Sequence, residues 1–466
     1  MEITQIPQLY KIFQSHPLVC TDTRAIQQGS LFFALKGERF DANDFVVEAL
    51  RQGAAYAVAD RVGLEAEVAN AGLEKDRLVL VPNVLESLQQ LAAYHRSHLR
   101  TPEGNPVPVV ALTGTNGKTT TKELIAAVLA TTFRVTATQG NLNNHIGVPL
   151  SLLQMNAQTQ IGLFEMGASH PGEIEQLTAL VQPSAGLITN IGKAHLEGFG
   201  SLEGVIRCKG ALMEYLLAHG GTAFYNADDP VVSGLKPLQN TAATHKHPYG
   251  ANYQQAILGE KDAALTVQLP GYPLITTHLI GRYNAPNILA ALAVGAYFGV
   301  DPIRAAQAIA AYIPSNNRSQ WIQTPSNDLV VDAYNANPTS MEASLDNFFQ
   351  LNPDSLRFTA KCVILGDMRE LGAASEAEHQ KMLSKVRALK PHAVYFVGPC
   401  FRQAVQDSQG AQDSQATPTA QDGERCFENV TDLCAYLQAH PITHTTCLIK
   451  GSNSLNLTKL LREKVL

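Results

Sequence analysis

The sequence predicts an α/β protein of three domains. Short apolar runs alternate with helical patterns along most of the chain, the arrangement of a parallel sheet covered on both faces. A chain of 466 residues accommodates about three domains at roughly 100–200 residues each. Two breaks rich in Pro, Gly, Ser and Asn, at 100–108 and 314–317, fall where the divisions are expected, giving blocks 1–104, 105–313 and 314–466.

In the first block, residues 31–34, 55–59 and 78–81 are apolar runs of strand length, and 85–98 has the spacing of a helix. This is a small α/β unit. The second block opens with Val109-Val110-Ala111-Leu112, then a Gly/Thr loop, then a helical pattern over 118–129. Residues 161–165, 185–189 and 222–225 are further strands, and helices over 288–298 and 302–312 close the block. In the third block, 329–332, 362–365, 393–397 and 447–449 are buried strands separated by helices, a second doubly wound, Rossmann-like unit. Within it, 407–424 is rich in Gln, Ser, Asp and Ala and repeats Asp-Ser-Gln; it cannot bury a core and is expected to be a mobile surface loop.

Composition narrows the function. Hydrophobic residues are 45% of the chain, enough for a core in each block. Against 35 basic side chains stand 41 acidic ones, for a formal net charge of -6, which argues against a protein that coats nucleic acid. Small phosphate-bearing ligands remain open, because a few backbone N–H groups and one Lys hold them locally. The 7 cysteines show no C-x-x-C pair or His/Cys ligand spacing, so neither a disulfide framework nor a structural zinc site is expected. The opening residues lack a signal-peptide pattern, and the longest apolar run, 288–300, is interrupted by Gly295. A cytoplasmic protein without membrane insertion is expected.

The sharpest motif is Thr113-Gly114-Thr115-Asn116-Gly117-Lys118-Thr119-Thr120, between a strand and a helix. Glycines there let backbone N–H groups turn toward a phosphate, and the positive end of the helix adds to the field. Lys118 supplies a charge for the terminal phosphates, and the Thr119 hydroxyl is placed to ligate Mg²⁺. Leu112 stands where the usual P-loop spacing has its first glycine. The central block is therefore expected to be P-loop ATPase-like.

Other candidates follow strands. Glu165 ends one, and a carboxylate at a strand's carboxyl end can hold a cation, although a solvated strand-end acid is the commoner case. His195 follows another, and Lys209 lies on a helical stretch. Asn141, Asn143 and Asn144 offer neutral hydrogen-bonding groups to a polar ligand, or form Asx-turns. In the third block Arg318 precedes Asp332-Ala333-Tyr334-Asn335-Ala336-Asn337-Pro338; an Arg and an Asp flanking a nucleotide would steady its phosphates and ribose. Gly366-Asp367-Met368-Arg369-Glu370-Leu371-Gly372 is another loop at the working edge.

Taken together, these motifs resemble those of the Mur ligases, ATP-dependent amide-bond-forming enzymes of peptidoglycan precursor synthesis. The resemblance also rests on Gly281-Arg282-Tyr283-Asn284 with Asn287, on Asn190, and on Asp22-Thr23-Arg24 with Leu35-Lys36-Gly37. Asp332 to Pro338, Leu365-Gly366-Asp367-Met368 and Lys450-Gly451-Ser452 are most similar to members that add D-alanyl-D-alanine to UDP-N-acetylmuramoyl-tripeptide. Four positions depart from the commoner family pattern: Tyr283, His145, Asn453 and the Ser315-Asn316-Asn317 run.

The resemblance implies roles. Gly114, Thr115, Asn116, Gly117, Lys118, Thr119 and Thr120 would hold ATP, with Asn287 beside the adenine and Arg318 and Asp332 reaching the nucleotide from the third domain. Thr119 and Glu165 would bind one Mg²⁺. His195 would serve a second with Lys209, carboxylated to make it an anionic bridge. Thr23, Arg24 and Lys36 would hold the uridine diphosphate, while Asn141, Asn143, Asn144, Tyr334, Asn335 and Asn337 would contact the remaining substrate. A monomer is expected, its third domain closing on the second about a hinge at 314–318.

Two other readings compete. One is a sister Mur ligase or a folate polyglutamylating ligase, disfavoured by Tyr334-Asn335-Ala336-Asn337-Pro338. The other is a regulatory P-loop ATPase without ligase chemistry, which would need only one Mg²⁺ site and so gives no use to His195 and Lys209.

Overall fold

The computed structural model describes residues 5–38, 40–240, 242–314, 317–409 and 423–466. The N-terminal domain is a four-stranded parallel sheet in the order β1 (Val19–Cys20), β2 (Leu31–Phe33), β3 (Tyr56–Ala59), β4 (Leu78–Leu80). The central sheet has six parallel strands: β5 (Val109–Thr113), β6 (Val135–Ala137), β7 (Ile161–Glu165), β8 (Ala185–Ile188), β9 (Thr222–Asn226) and β10 (Lys246–Tyr249). Their spatial order is β10-β9-β8-β5-β7-β6. The chain enters at β5, goes out to the edge strand β6, fills back with β7, then crosses to β8, β9 and β10 on the other side. That reversal leaves a crevice above the carboxyl end of β5, where open α/β sheets bind ligands.

Burial follows the two-residue period of a strand. Val109 and Ala111 face helices Gly147–Leu152, Glu173–Val181 and Leu202–Ala218, while Val110 and Leu112 face Lys118–Ala130, Ala285–Tyr297 and Pro302–Ala311. A three-stranded antiparallel sheet, β11 (Ile257–Lys261), β12 (Ala264–Gln268) and β13 (Ile275–Ile280), is inserted before helix Ala285–Tyr297. Sequence patterning did not separate its short strands from loop. The buried Ala263 at its hairpin tip and Ile280 pack into the core of the C-terminal domain.

The C-terminal sheet orders β14 (Gln320–Gln323), β15 (Asn327–Asp332), β19 (Thr445–Lys450), β16 (Ala360–Gly366), β17 (Ala393–Val397) and β18 (Glu424–Phe427); only the edge strand β14 is antiparallel. The ends of the loop expected over 407–424 belong to regular elements. Asp407–Gln409 complete helix Pro399–Gln409, where Asp407 accepts from Gln403 Nε2 (2.7 Å), and Glu424 begins β18, paired with Arg387 at 2.8 Å. Residues 410–422 lie outside the described residues, as do 315 and 316 of the expected hinge. The seven cysteines are unpaired, and no described helix is long and apolar enough to cross a membrane.

One apolar cluster runs without a break from Leu9, Phe13 and Leu88 of the first domain to Phe164, Ile188 and Leu212 of the second. Buried polar groups pin the same seam. On helix Val84–His98, His95 Nε2 donates to Met155 O (2.8 Å) and Nδ1 accepts from Tyr10 (3.3 Å). Arg96, buried without an acid partner among the described residues, donates to the carbonyls of Val181 (3.2 Å) and Gln182 (3.2 Å) at the C-terminus of helix Glu173–Val181. These two domains therefore form one rigid unit. Replacing Arg96 by Met leaves those carbonyls unpaired, and urea unfolding is expected to show a loss of about 2 kcal/mol; an unchanged midpoint would mean that the seam does not depend on Arg96.

Candidate active site

The phosphate loop is held from below. Gly114 has φ +151°, and a Cβ there would sit 1.9 Å from Thr189 Oγ1, so the loop lies against the strand-end loop after β8. That neighbour clamps it: Thr115 N–H donates to Asn190 O (2.9 Å), Asn116 N–H to Asn190 Oδ1 (3.0 Å), and Thr189 Oγ1 donates to Asn116 O (2.7 Å). Lys118, first residue of helix Lys118–Ala130, folds back so that Nζ donates to Gly114 O (2.8 Å) and Thr115 O (3.3 Å). Burial pushes its amine below the usual lysine range; Glu165 opposes that and Arg318 adds to it.

Above the loop opens a cleft of about 940 Å³, bounded by all three domains. Of the residues singled out from sequence, Thr115 to Thr120, Asn143, Asn144, Glu165, His195, Asn287, Arg318, Asp332, Tyr334 and Asn335 line it. Six chain segments more than twenty residues apart thus converge on one space.

Glu165, at the end of β7, is 1% exposed. Its Oε1 accepts from Asn143 Nδ2 (2.7 Å), but Oε2 is buried with no hydrogen-bond partner. A buried carboxylate oxygen left open is costly unless something bound meets it. A hard cation such as Mg²⁺, which takes oxygen ligands, fits this oxygen and the neighbouring Thr119 hydroxyl. His195 sits at φ +51°, a left-handed conformation uncommon outside glycine, which turns its ring into the cleft. Its Nδ1 contacts the Glu370 carboxylate in a pair too poorly aligned for a hydrogen bond. Lys209 is 1% exposed, its Nζ 5.9 Å from the Phe199 ring centroid, with no acid at ion-pair distance among the described residues. Burial first and Lys118 second push its pKa down to about 7.

From the C-terminal domain, Arg318 stacks on Tyr334 with its guanidinium carbon 3.6 Å from the ring centroid, while Nε is buried and unpartnered. Asp332, at the end of β15, accepts from Lys450 Nζ (2.5 Å) and Ser344 Oγ (3.1 Å). Lys450 is 1% exposed, so the pair is a buried one that fixes Asp332 in place.

Other candidates are already engaged by protein groups or stand away from the cleft. Asn287 lines the cleft, but its amide is engaged: Oδ1 accepts from Thr121 Oγ1 (3.0 Å) and Nδ2 donates to Asn284 Oδ1 (2.9 Å). It braces the helix after the phosphate loop. Asn141 is exposed outside the cleft, its carbonyl accepting from Asn143 N–H (2.8 Å). Asn337 is buried and bonded to protein groups rather than lining the cleft. Thr23, Arg24 and Lys36 lie on the first domain beyond the cleft wall; Arg24 pairs with Asp22 (2.6 Å) and Lys36 with Asp60 (2.9 Å). Sequence reasoning missed Glu370 and Lys450 as individuals, although both lie in motifs it singled out; their contacts are with partners 175 and 118 positions away, His195 and Asp332. The trio Asp367, His379 and Cys400 is close enough to suggest a metal site, yet Asp367 accepts the N–H groups of Cys400 (3.0 Å) and Phe401 (2.9 Å), and His379 bonds Met368 N–H (3.0 Å) and Ser375 O (2.7 Å). That cluster caps a helix.

Three family models match the chain in order: Mur ligase family, catalytic domain, over 17–96; Mur ligase middle domain, over 112–295; and Mur ligase, glutamate ligase domain, over 317–453. A relative from Bacillus subtilis (strain 168), named UDP-N-acetylmuramoyl-tripeptide--D-alanyl-D-alanine ligase, is 37% identical over 386 residues, 82% of this chain and 79% of its own. The chain belongs to the Mur ligase family. A relative of the same name from Escherichia coli (strain K12) is 34% identical over 95% of this chain and 92% of its own. Among solved structures, MurF from Acinetobacter baumannii superposes with a TM-score of 0.81 at 26% identity, covering 99% of this chain and 98% of that one. MurF ligase from Thermotoga maritima, in complex with ADP, gives 0.75 at 25% identity over 96% and 97%. The three-domain α/β architecture of this Mur ligase is that of these structures.

In this Mur ligase, Glu165→Gln removes a buried charge without changing shape. Turnover is expected to fall about 10²–10³-fold, while the unfolding midpoint stays level or rises, as thermal and urea scans would show. A large loss of stability with activity retained would contradict a ligand-facing role for Oε2.

Proposed function

We propose that the chain is an ATP-dependent ligase that joins D-alanyl-D-alanine to the terminal carboxylate of UDP-N-acetylmuramoyl-tripeptide through an acyl phosphate. The observation that carries this reading is the cleft itself. A phosphate loop, an open buried carboxylate and an Arg–Asp pair from a second domain face one space, which the buried Lys209 does not itself line. The relatives named for this activity, matched over most of their length, supply the substrates.

A carboxylate is a poor electrophile, so it must first be activated. The peptide carboxylate oxygen attacks the γ-phosphorus of ATP, the bond to the β–γ bridging oxygen breaks, and ADP departs. The amine of D-alanyl-D-alanine then attacks the acyl carbon; the C–O bond to phosphate breaks and the nitrogen gives up a proton. Lys118 and Arg318 bring fixed positive charge to the phosphoryl group from opposite domains of the cleft. Thr119 and Glu165 would hold one Mg²⁺, and His195 with Lys209 a second, supplying neutralisation of the phosphate oxygens. Asp332 is fixed by Lys450 to accept from the ribose hydroxyls. Asn143 and Asn144 border the same space and would contact the peptide. Thr23 follows β1 and Lys36 follows β2, at the carboxyl ends of parallel strands, where they would take the uridine diphosphate with Arg24. Seven free thiols and the need for ATP support a cytoplasmic reaction.

Lys209 has the chemistry for carboxylation. An amine with a pKa of about 7 is substantially neutral at physiological pH, so its lone pair can attack CO₂ and lose a proton to leave an anionic carbamate. Lys209→Ala is expected to abolish turnover, with partial rescue by added short carboxylic acids; full activity in the variant would exclude the bridge. For the reaction as a whole, phosphate release should require both peptide substrates. Release unaffected by D-alanyl-D-alanine would favour a regulatory ATPase.

A further inference from the structure

We propose that Asn337 is a positioning residue that couples the phosphate loop to docking of the C-terminal domain, through a reciprocal amide pair with Asn116. This rests on the ligase reading above. Asn337 caps helix Pro338–Gln350: its Oδ1 accepts the N–H of Ser340 at 2.9 Å. The other half of the same amide crosses to the central domain. Asn337 Nδ2 donates to Asn116 Oδ1 at 2.8 Å, and Asn116 Nδ2 returns to Asn337 Oδ1 at 3.4 Å.

Asn116 lies in the middle of the phosphate loop, and its polar groups divide cleanly. Its backbone is held by its own domain, through Asn190 and Thr189. Its side chain is held by Asn337, which is 3% exposed and 221 positions away. With the C-terminal domain swung aside, that side chain faces water and the loop loses one of its restraints. Docking restores the restraint, and so the loop reaches its final shape only when Arg318 and Asp332 also face the cleft. Phosphoryl transfer is sensitive to displacements of about 1 Å in the groups that hold the reacting atoms.

Neighbouring contacts keep the domains docked independently of this pair. Lys193 N–H donates to Thr339 Oγ1 (3.2 Å), against which Gly192 packs so closely that a Cβ would lie 2.7 Å from the same oxygen. Lys193 Nζ pairs with the buried Glu378 at 2.6 Å. Loss of the amide pair is therefore expected to loosen the loop without separating the domains.

The test compares Asn337→Ser, Asn116→Ala and the double variant by steady-state kinetics and thermal unfolding. Serine retains a helix cap but is too short to reach Asn116. For Asn337→Ser, kcat should fall about 10-fold with little change in KM for ATP or for the UDP-tripeptide, and the unfolding midpoint should stay level. The double variant should be no slower than the slower single one, because both changes break the same pair. The proposal is overturned if the two losses multiply, if Asn337→Ser keeps wild-type kcat, or if KM for the UDP-tripeptide rises instead, the mark of direct substrate contact. Failure of the ligase reading would show separately, as wild-type protein that releases no phosphate with all substrates present.

Discussion

The close seat of the phosphate loop on the Thr189–Asn190 loop is the constraint around which the site is arranged. Because Gly114 carries no Cβ, two strand-end loops approach to contact, and the backbone of Thr115 and Asn116 is fixed before any ligand arrives. The same neighbour leads directly to His195 and to the Gly192–Lys193 turn that meets the C-terminal domain. One packing contact thereby sets the nucleotide cradle, the strained histidine and the domain interface at once.

The three domains are not joined alike. A continuous apolar cluster and the buried His95 and Arg96 make the first two a single body. The third is held near the cleft by polar pairs, His195–Glu370, Lys193–Glu378 and Asn116–Asn337, with apolar contact at the Ala263 hairpin to one side. Polar pairs exchange readily for water, whereas a dry core does not. The more polar joint is therefore the one between the second and third domains, beside the cleft.

Charge in the cleft is arranged at a cost to folding. Glu165 and Lys209 are each 1% exposed, and neither has an ion-pair partner among the described residues; the open oxygen of Glu165 faces the cleft. Lys450 and Asp332 show the opposite case, a buried pair already matched, which orients an acid rather than waiting for a ligand. Open groups and closed pairs in one cleft separate what binds from what positions.

By itself, the sequence determined the fold class, the phosphate loop, and the strand-end acid and histidine, because those signals are local: apolar runs of strand length, glycines at a strand–helix turn, and polar residues just beyond apolar ones. The antiparallel strands β11 to β13 were not legible, since half-buried strands such as Ile257–Lys261 lack a strong apolar pattern. Tertiary structure alone decided that Asn337 meets both Ser340 and Asn116, that Asn287 is bonded to Thr121 and Asn284, and that Glu370 faces His195. Each of those depends on which partner a side chain meets across a gap of 100 residues or more, or on an amide having only two ends to give, and no spacing along the chain records either.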